Sequence, residues 1–134
     1  MKYLLDTNIC IHLFRGRFAI AEKIQEHGWE NCCISEITKA ELLLGEEIAI
    51  RKGKKVPVGA IKRFVSSIEV IPISEGIEIF AKEKARLICC GAQLEDFDLL
   101  IATCAIANNC ILISENVKHL SRIQGLRLEN WIKR

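Results

Sequence analysis

Short, continuous runs of apolar residues recur along the chain, and segments with helical spacing separate them. These runs predict strands at residues 2–5, 32–34, 70–73 and 110–113, with a weaker candidate at 126–128. Continuous apolar runs are typical of parallel strands that are covered on both faces, whereas half-exposed strands alternate apolar and polar residues. The alternation of strands with helices therefore predicts an α/β domain with a mainly parallel sheet as its middle layer.

The spacing of apolar residues between these runs predicts six helices. Their expected bounds are residues 7–14, 18–27, 36–51, 60–67, 75–90 and 96–108. Ser35 is a suitable N-cap for the third helix, and Gly91 is expected to end the fifth. Pro72 favours an edge or end position for the third strand, because proline cannot donate a ladder hydrogen bond. The side chains expected to face inward from the fifth helix are Ile77, Phe80, Ala81, Ala85 and Ile88.

Length and composition limit the class of protein. Half of the 134 residues are hydrophobic and 27% are charged, which predicts one domain over residues 1–134 rather than a disordered chain or two domains. Nineteen basic and seventeen acidic residues leave a net charge of +2, so the overall charge indicates no partner. No apolar run approaches the ~18–20 residues of a membrane span, and Asp6 interrupts the first apolar run before it reaches the length of a secretory signal. We therefore expect a cytoplasmic protein without membrane association.

The seven cysteines are an odd number, and no two of them form a C-x-x-C pair. This pattern favours reduced cysteines that act as small core residues over a zinc site or a disulfide framework. The adjacent pairs at residues 32–33 and 89–90 leave one alternative open, a thiol redox sensor. The three histidines are scattered and show no metal-ligand spacing.

Several oxygen-bearing side chains lie next to the ends of the predicted strands, where ligands of parallel α/β sheets bind. Asp6 directly follows the first strand, Asp98 opens the helix before the fourth, and Ser114, Glu115 and Asn116 follow the fourth. Each has an ordinary structural interpretation as well. Asp6 is a suitable helix cap, Asp98 lies where a helix dipole favours a carboxylate, and Asn116 is a common turn residue.

Glu41 is harder to explain by structure alone. Its neighbours at helical spacing are Ile37, Leu44 and Ile48. This spacing predicts that the carboxylate faces the core, while Glu46 and Glu47 lie closer to the opposite face. A buried carboxylate is costly unless a cation or donors compensate it. The alternative to a functional site is a buried salt bridge to Lys84 or Arg86.

A group of oxygen ligands without histidine or cysteine suits a hard cation such as Mg²⁺ or Mn²⁺. The sequence contains no G-x-S-x-G, P-loop or G-x-G-x-x-G motif, which argues against α/β-hydrolase, NTPase and dinucleotide-binding functions. Residues 48–68 contain no acid but carry six basic side chains: Arg51, Lys52, Lys54, Lys55, Lys62 and Arg63. Such a patch is either a solvated surface or a contact for a phosphate backbone.

Five short motifs together resemble those of PIN-domain ribonucleases, in particular the VapC-like toxins. They are LLDTNI at residues 4–9, ISEITKAEL at 34–42, FDLLIA at 97–102, LISEN at 112–116 and GLRLENW at 125–131. The resemblance spans nearly the whole chain in the right order. It implies a PIN-like three-layer α/β/α fold and a metal-dependent endoribonuclease that hydrolyses phosphodiester bonds in RNA. It also implies the toxin half of a toxin–antitoxin pair, with a cognate antitoxin as partner and often a homodimer.

The resemblance also implies roles for individual residues. Asp6 and Asp98 correspond to the principal Mg²⁺ ligands, with Mn²⁺ as a substitute, and Glu41 corresponds to the third acid of the site. Asn116 stands where many members have a fourth acid, and its neutral amide leaves the choice between one and two metal ions open. Glu115 is expected to point elsewhere. The hydroxyls that would steady the carboxylates or a bound water belong to Thr7 and Ser114.

The basic patch and the acids leave alternative functions to be tested. Lys54, Lys55 and Lys62 are the candidate RNA contacts. A PIN-like module that only binds RNA or a partner would be expected to lack one of the acids Asp6, Glu41 and Asp98, and all three are present. A metal-dependent DNA nuclease would use the same acids, so the sequence alone does not separate it from a ribonuclease.

Overall fold

The computed structural model describes residues 1–134, and its five strands form one sheet in which every neighbouring pair is parallel. The strands are β1 (Lys2–Leu5), β2 (Cys32–Ser35), β3 (Glu69–Ile71), β4 (Cys110–Ile113) and β5 (Arg127–Glu129). Their order in the sheet is β3-β2-β1-β4-β5. β1 is therefore the central strand, and β3 and β5 are the edges.

Seven helices connect these strands. They are α1 (Thr7–Phe14), α2 (Ile20–His27), α3 (Glu36–Arg51), α4 (Ala60–Ser67), α5 (Ile77–Cys89), α6 (Asp96–Ala107) and α7 (Val117–Leu120), with 3₁₀ turns at Trp29–Asn31 and Ser74–Gly76. None of these helices combines the length and the apolar character that a bilayer span requires.

The helices cover both faces of the sheet, because successive strand side chains point to opposite sides. Leu4 is fully buried with residues of α5 and α6, such as Leu87 and Leu99. Leu5 is fully buried on the other face with residues of α1 to α4, such as Ile9 and Ile24. The expected α/β/α arrangement with a short parallel sheet is thus confirmed.

The predicted elements agree with the structure except at a few boundaries. α2 begins at Ile20 rather than residue 18, because Phe18 and Ala19 have positive φ angles of 57° and 54° and so lie outside the helical region. Pro72 follows the last residue of β3, which is an edge strand as expected. The short helix α7 after Asn116 was not predicted.

The predicted inward face of α5 is wrong except at Phe80, which packs against the core. Ile77 and Ile88 are each 50% exposed, whereas Glu83 and Leu87 are buried. A charged residue can occupy the inner face here because Arg86 donates two hydrogen bonds to Glu83, at 2.8 and 2.9 Å. The apolar periodicity of the sequence could not reveal this pairing.

All seven cysteines are free thiols. Five of them are buried in the two apolar clusters, as expected of small core residues: Cys10, Cys32, Cys33, Cys104 and Cys110. Burial of Cys32 and Cys33 removes that pair from contact with oxidants in solvent. Cys89 and Cys90 are exposed instead, at the end of α5.

Candidate active site

A cavity opens at the carboxyl ends of the central strands, where the direction of winding reverses. The chain proceeds from β1 to β2 and β3 on one side of the sheet, then crosses to β4 on the other side of β1. Ligands of open α/β sheets bind at such a reversal. The cavity has a volume of about 480 Å³, and its lining residues are Asp6, Thr7, Asn8, Ile11, Glu41, Asp98, Glu115 and Asn116. The four predicted catalytic residues therefore come together from four separate segments.

Asp6 is held at both carboxylate oxygens. Its Oδ1 accepts a 2.8 Å hydrogen bond from the backbone N–H of Thr7, so the residue does cap α1. Its Oδ2 accepts a 2.7 Å hydrogen bond from the Ser114 hydroxyl, which in turn accepts the backbone N–H of Asn116 at 3.0 Å. Burial raises the pKa of Asp6, and the bonds from Ser114 and Thr7 oppose that rise. Asp6 is thus both a helix cap and a wall of the cavity.

Glu41 is positioned by two threonines. The Thr7 hydroxyl donates to Glu41 Oε1 at 2.7 Å, and the Thr38 hydroxyl lies 3.0 Å from that of Thr7. Because Thr7 has one hydroxyl hydrogen, which the carboxylate accepts, Thr38 is the donor to Thr7. Thr38 is fully buried, and its backbone N–H donates to the side chain of Ser35, the N-cap of α3. Sequence reasoning missed Thr38, although it precedes Glu41 by three residues on the same helix face.

The reason given by the sequence for the orientation of Glu41 is wrong. Leu44 is 58% exposed and Ile48 is 44% exposed, so these two members of the predicted apolar stripe face solvent, and only Ile37 packs against the core. α3 buries Thr38 and Leu42 instead, and Glu41 lies half-buried beside them.

The salt-bridge alternative for Glu41 is also wrong. Lys84 pairs with Asp96, and Arg86 pairs with Glu83. Glu41 therefore has no basic partner, and Thr7 is its hydrogen-bond donor.

Asp98 is the third residue of α6 and is half-buried. Burial raises its pKa, and the charges of Asp6, Glu95 and Glu41 raise it further, while His119 opposes the rise. Asp98 is therefore within electrostatic reach of both other acids. No lysine or arginine lines the cavity, so the protein supplies no cationic side chain there to balance the three carboxylates.

Glu115 also lines the cavity, contrary to the expectation that it points elsewhere. It differs from the other acids because Arg134 binds both of its carboxylate oxygens, one of them at 3.0 Å. This pairing lowers the pKa of Glu115. The guanidinium of Arg134 is held over the ring of Phe18, 4.9 Å from its centroid. Glu115 is thus neutralised by a contact between distant parts of the chain.

A second, mainly apolar cavity of about 400 Å³ adjoins the acidic one and shares Ile11 and Glu41 with it. We call it the apolar groove. Its other lining residues are Phe14, Arg15, Leu42, Gly45, Glu46, Ala49, Val56, Pro57, Ala60 and Ile61. Lys54 and Lys55 precede its Val56 in the chain, and all three lysines of the predicted RNA contact, including Lys62, are exposed.

The chemistry of the acidic cavity suits a hard cation. Its polar groups are carboxylates, a hydroxyl and amides, with no histidine or cysteine. In the observed side-chain positions, no group of three or more His, Cys, Asp and Glu residues is arranged to hold a metal ion. Asp6 and Glu41 each direct one oxygen at a hydroxyl of the protein. The three acids therefore do not form a complete ligand set in these positions, whereas the types of donor fit a hard cation.

Comparison with known proteins shows similarity over the full length of the chain. Residues 3–126 match the sequence profile of the PIN domain. The chain is 30% identical over 132 residues to a protein of Shigella flexneri named tRNA(fMet)-specific endonuclease VapC, covering 98% of each. It is 33% identical over 138 residues to Ribonuclease VapC2 of Rickettsia felis, covering 99% of this chain and all of that one.

Solved structures show the same fold. The chain is similar to one in the crystal structure of VapBC2 from Rickettsia felis bound to a DNA fragment from the promoter, with 29% identity and a TM-score of 0.83. That match covers 98% of this chain and 99% of the other. A chain in the crystal structure of DNA-bound VapBC from Salmonella typhimurium gives a TM-score of 0.85 at 27% identity, with 98% of both chains covered.

Proposed function

This chain belongs to the PIN-domain family, and we propose that it is a metal-dependent endoribonuclease and the toxin of a toxin–antitoxin pair. The observation that carries the proposal is the gathering of Asp6, Glu41 and Asp98 in one cavity that contains no basic side chain. Relatives named ribonuclease or tRNA-specific endonuclease match the full length of the chain and support RNA as the substrate.

Asp6 and Asp98 are the proposed ligands of Mg²⁺, with Mn²⁺ as a substitute. Burial raises the pKa values of both carboxyls, and neighbouring negative charges raise that of Asp98 further, so each favours the arrival of a positive charge. A divalent cation bound there supplies Lewis-acid chemistry, since it polarises a phosphodiester and lowers the pKa of a bound water. Ser114 keeps Asp6 in place through its 2.7 Å hydrogen bond.

Glu41 is the proposed residue that orients the attacking water. Its Oε1 accepts from Thr7, while its Oε2 has no hydrogen-bond partner in the protein and is free to accept from a water. Thr38 fixes the hydroxyl of Thr7, so the carboxylate is held in one orientation before substrate arrives. Attack in line on phosphorus would then require the water at Glu41 to lie opposite the leaving oxygen of the phosphodiester.

We propose that the RNA backbone runs from the acidic cavity towards the exposed lysines beside the apolar groove. Lys54, Lys55 and Lys62 form no ion pair within the protein, so their charges are available to phosphates. The groove shares Glu41 with the acidic cavity, so a strand held at the lysines reaches the site without crossing the sheet.

The proposed protein partner is an antitoxin, because similar chains are found in solved VapBC structures. The apolar groove is the surface that we assign to it. Glu41 and Glu46 line this groove, so a partner segment with apolar side chains and a basic residue complements it in both polarity and charge. A homodimer, which the family resemblance implies, is part of the same proposal and is tested by sedimentation of the purified protein.

The decisive experiment incubates the purified protein with labelled single-stranded RNA and DNA, in Mg²⁺ and in EDTA. We expect cleavage of RNA in Mg²⁺ only. Asp6→Asn, Glu41→Gln and Asp98→Asn should each reduce the rate by orders of magnitude. The matched controls are Glu46→Gln, on the same helix as Glu41, and Asp96→Asn, in the same helical turn as Asp98; both should retain activity.

Each alternative function gives a different result in this experiment. Preferential cleavage of DNA would identify a DNA nuclease, and binding of RNA without cleavage in any metal would identify a non-catalytic module. Full activity of Asp98→Asn would remove the proposed site.

A further inference from the structure

The side-chain amide of Asn116 has a defined orientation in the structure. Its Oδ1 lies 2.8 Å from Nδ1 of His119, one helical turn further along α7. An amide oxygen has no proton and only accepts, so the imidazole must carry its proton on Nδ1 and donate it. The backbone N–H of Asn116 is held as well, by the Ser114 hydroxyl at 3.0 Å. Asn116 is therefore fixed at its backbone and at its side-chain oxygen.

This arrangement decides which polar group Asn116 offers to the cavity. Its Oδ1 accepts a hydrogen bond from His119. Its Nδ2 has no hydrogen-bond partner in the protein and is not among the buried polar atoms that lack one. Asn116 lines the acidic cavity. The group of this side chain that has no protein partner is thus an N–H donor, which suits an anion and repels a cation.

We propose that Asn116 is a hydrogen-bond donor to a phosphate oxygen of the bound RNA, not a fourth ligand of the cation, and that His119 is the residue that sets this orientation. The inference rests on the proposed function and adds the role of one position to it. A carboxylate at residue 116 would attract a cation, whereas the amide with its oxygen turned to His119 contacts the substrate. His119 acts through Asn116 and is a positioning residue.

The first test measures RNA binding without metal. Under this condition a residue that contacts RNA directly still affects the RNA affinity, whereas a residue that acts only as a metal ligand does not. A fluorescently labelled single-stranded RNA is titrated with protein in EDTA, where no cleavage occurs. Asn116→Ala should weaken binding about tenfold, the effect of one hydrogen bond to a charged group. Asn116→Asp should weaken it at least as much, because a carboxylate repels the phosphate. Asn109→Asp, in the turn before β4 at the opposite edge of the sheet, is the control for the added charge.

The role of His119 is tested by a rescue. His119→Ala removes the donor and should weaken metal-free RNA binding, since the amide is then free to turn. His119→Asn places an amide N–H close to the position of Nδ1 and should restore most of the affinity. Equal losses in the two variants would overturn the positioning role.

A titration with Mn²⁺ in the absence of RNA completes the design. We expect Asn116→Ala to bind Mn²⁺ as tightly as the wild type, whereas a lost ligand would weaken Mn²⁺ binding and leave metal-free RNA binding unchanged. That second pattern would overturn this inference while leaving the ribonuclease proposal intact, provided that the wild type cleaves RNA. A wild type without ribonuclease activity would overturn the proposed function, and the metal-free affinities would still decide whether Asn116 contacts phosphate.

Discussion

Ser114 connects two parts of the candidate site through a single hydroxyl. It donates to Asp6 Oδ2 at 2.7 Å and accepts the backbone N–H of Asn116 at 3.0 Å. The residue is completely buried, so removal of the hydroxyl takes away both bonds inside the protein. A buried polar group left without a partner costs about 1–3 kcal/mol. The orientation of one acid and the start of α7 therefore depend on the same atom.

We predict that Ser114→Ala destabilises the fold and shifts the pH dependence of cleavage. The loss should be about 1–3 kcal/mol in the free energy of unfolding, because Asp6 and the Asn116 N–H both lose a partner. The Ser114 bond lowers the pKa of Asp6, so its removal should move the acid limb of the rate profile to higher pH. Urea unfolding and initial rates across pH measure the two effects.

Ser121→Ala is the control for this prediction. Its hydroxyl is exposed and bonds only to the Lys118 carbonyl, so stability and pH profile should stay as in the wild type. A Ser114→Ala protein that matches this control would show that the hydroxyl does not tune Asp6.

At the scale of single residues, the sequence identifies those side chains whose place follows from topology. Asp6 and Ser114 directly follow parallel strands, and the carboxyl ends of such strands meet at one edge. Thr38 and the inward turn of Glu115 could not be predicted in this way. Thr38 depends on the rotation of α3 about its axis, and Glu115 depends on Arg134, which approaches it only in the folded chain.

Among the elements, α3 and α5 show why apolar periodicity predicts a helix better than it predicts the buried face. Both helices form close to the expected residues. Yet α3 exposes Leu44 and buries Thr38, and α5 exposes Ile77 and buries Glu83. Polar groups occupy inner positions when they find partners there, and those partners lie on other elements that a local pattern does not include.

Glu83 also links α5 to the segment that follows α7. Its Oε2 accepts the backbone N–H of Gln124 at 3.1 Å, and Arg86 donates to the carbonyl of Arg122 at 2.7 Å. The Glu83–Arg86 pair thereby restrains the connection between α7 and β5. Because α7 carries His119, this pair supports one wall of the candidate site from outside.

We predict that Glu83→Gln lowers the melting temperature at neutral pH and that the difference from the wild type disappears in acid. The bonds from Arg86 lower the pKa of Glu83 below its usual 4.5. The stabilisation is therefore present above 4.5 and is lost as the pH falls through the lowered value. Thermal melts of both proteins over this range check the prediction.

Glu78→Gln provides the comparison for Glu83→Gln, since Glu78 is exposed on the same helix. As a first-turn carboxylate without an ion-pair partner, Glu78 should contribute only about 0.3–1 kcal/mol through the helix dipole, so its replacement should lower the melting temperature less than Glu83→Gln does. A pH-independent loss in Glu83→Gln would point to a packing defect instead of a lost ion pair.

For the whole molecule, the net charge of +2 is small although the surface has one acidic and one basic region. The acidic cavity lies at the carboxyl edge of the sheet. Of the exposed lysines beside the apolar groove, Lys54 and Lys55 follow α3 and Lys62 lies on α4. Opposite charges in neighbouring regions are suited to a substrate that is gripped by its phosphates and cut at a metal. The sequence predicted both regions, but only the shared groove wall shows that they adjoin.

We predict that replacing Lys54, Lys55 and Lys62 with glutamine weakens RNA binding and flattens its salt dependence. Each lost phosphate contact should reduce the slope of log affinity against log salt by about 0.7–0.9. Binding in EDTA at several salt concentrations, for the single and triple variants, gives the slope. Lys82→Gln, on α5, should leave it unchanged. An unchanged slope in the triple variant would assign these lysines to a solvated surface or to the antitoxin.

The acids of the cavity are expected to lower the stability of the entire fold when no metal is bound. Burial raises the pKa values of Asp6 and Asp98 above the usual 3.8, and neighbouring negative charges raise that of Asp98 further. An acid with a raised pKa binds its proton more tightly in the folded state, so stability falls as the pH rises from 3.8 through the raised value. At pH values above the raised pKa, the ionised acids lower the free energy of unfolding by their full amount. Functional sites are commonly less stable than their fold allows for this reason.

We predict that Asp98→Asn keeps or raises the melting temperature in EDTA at neutral pH, although it abolishes cleavage. The gain should shrink in acid, where the wild-type carboxyl is protonated. Mn²⁺ should stabilise the wild type by about RT ln(1 + [L]/Kd) and the variant much less, because a charged ligand is missing.

If Asp98 only favoured the start of α6, its loss would instead cost about 0.3–1 kcal/mol through the helix dipole. Asp96→Asn, in the same turn and paired with Lys84, should show that dipole pattern, with a lower melting temperature and an unchanged response to Mn²⁺. If Asp98→Asn behaved like Asp96→Asn, the three acids would not form one electrostatic cluster.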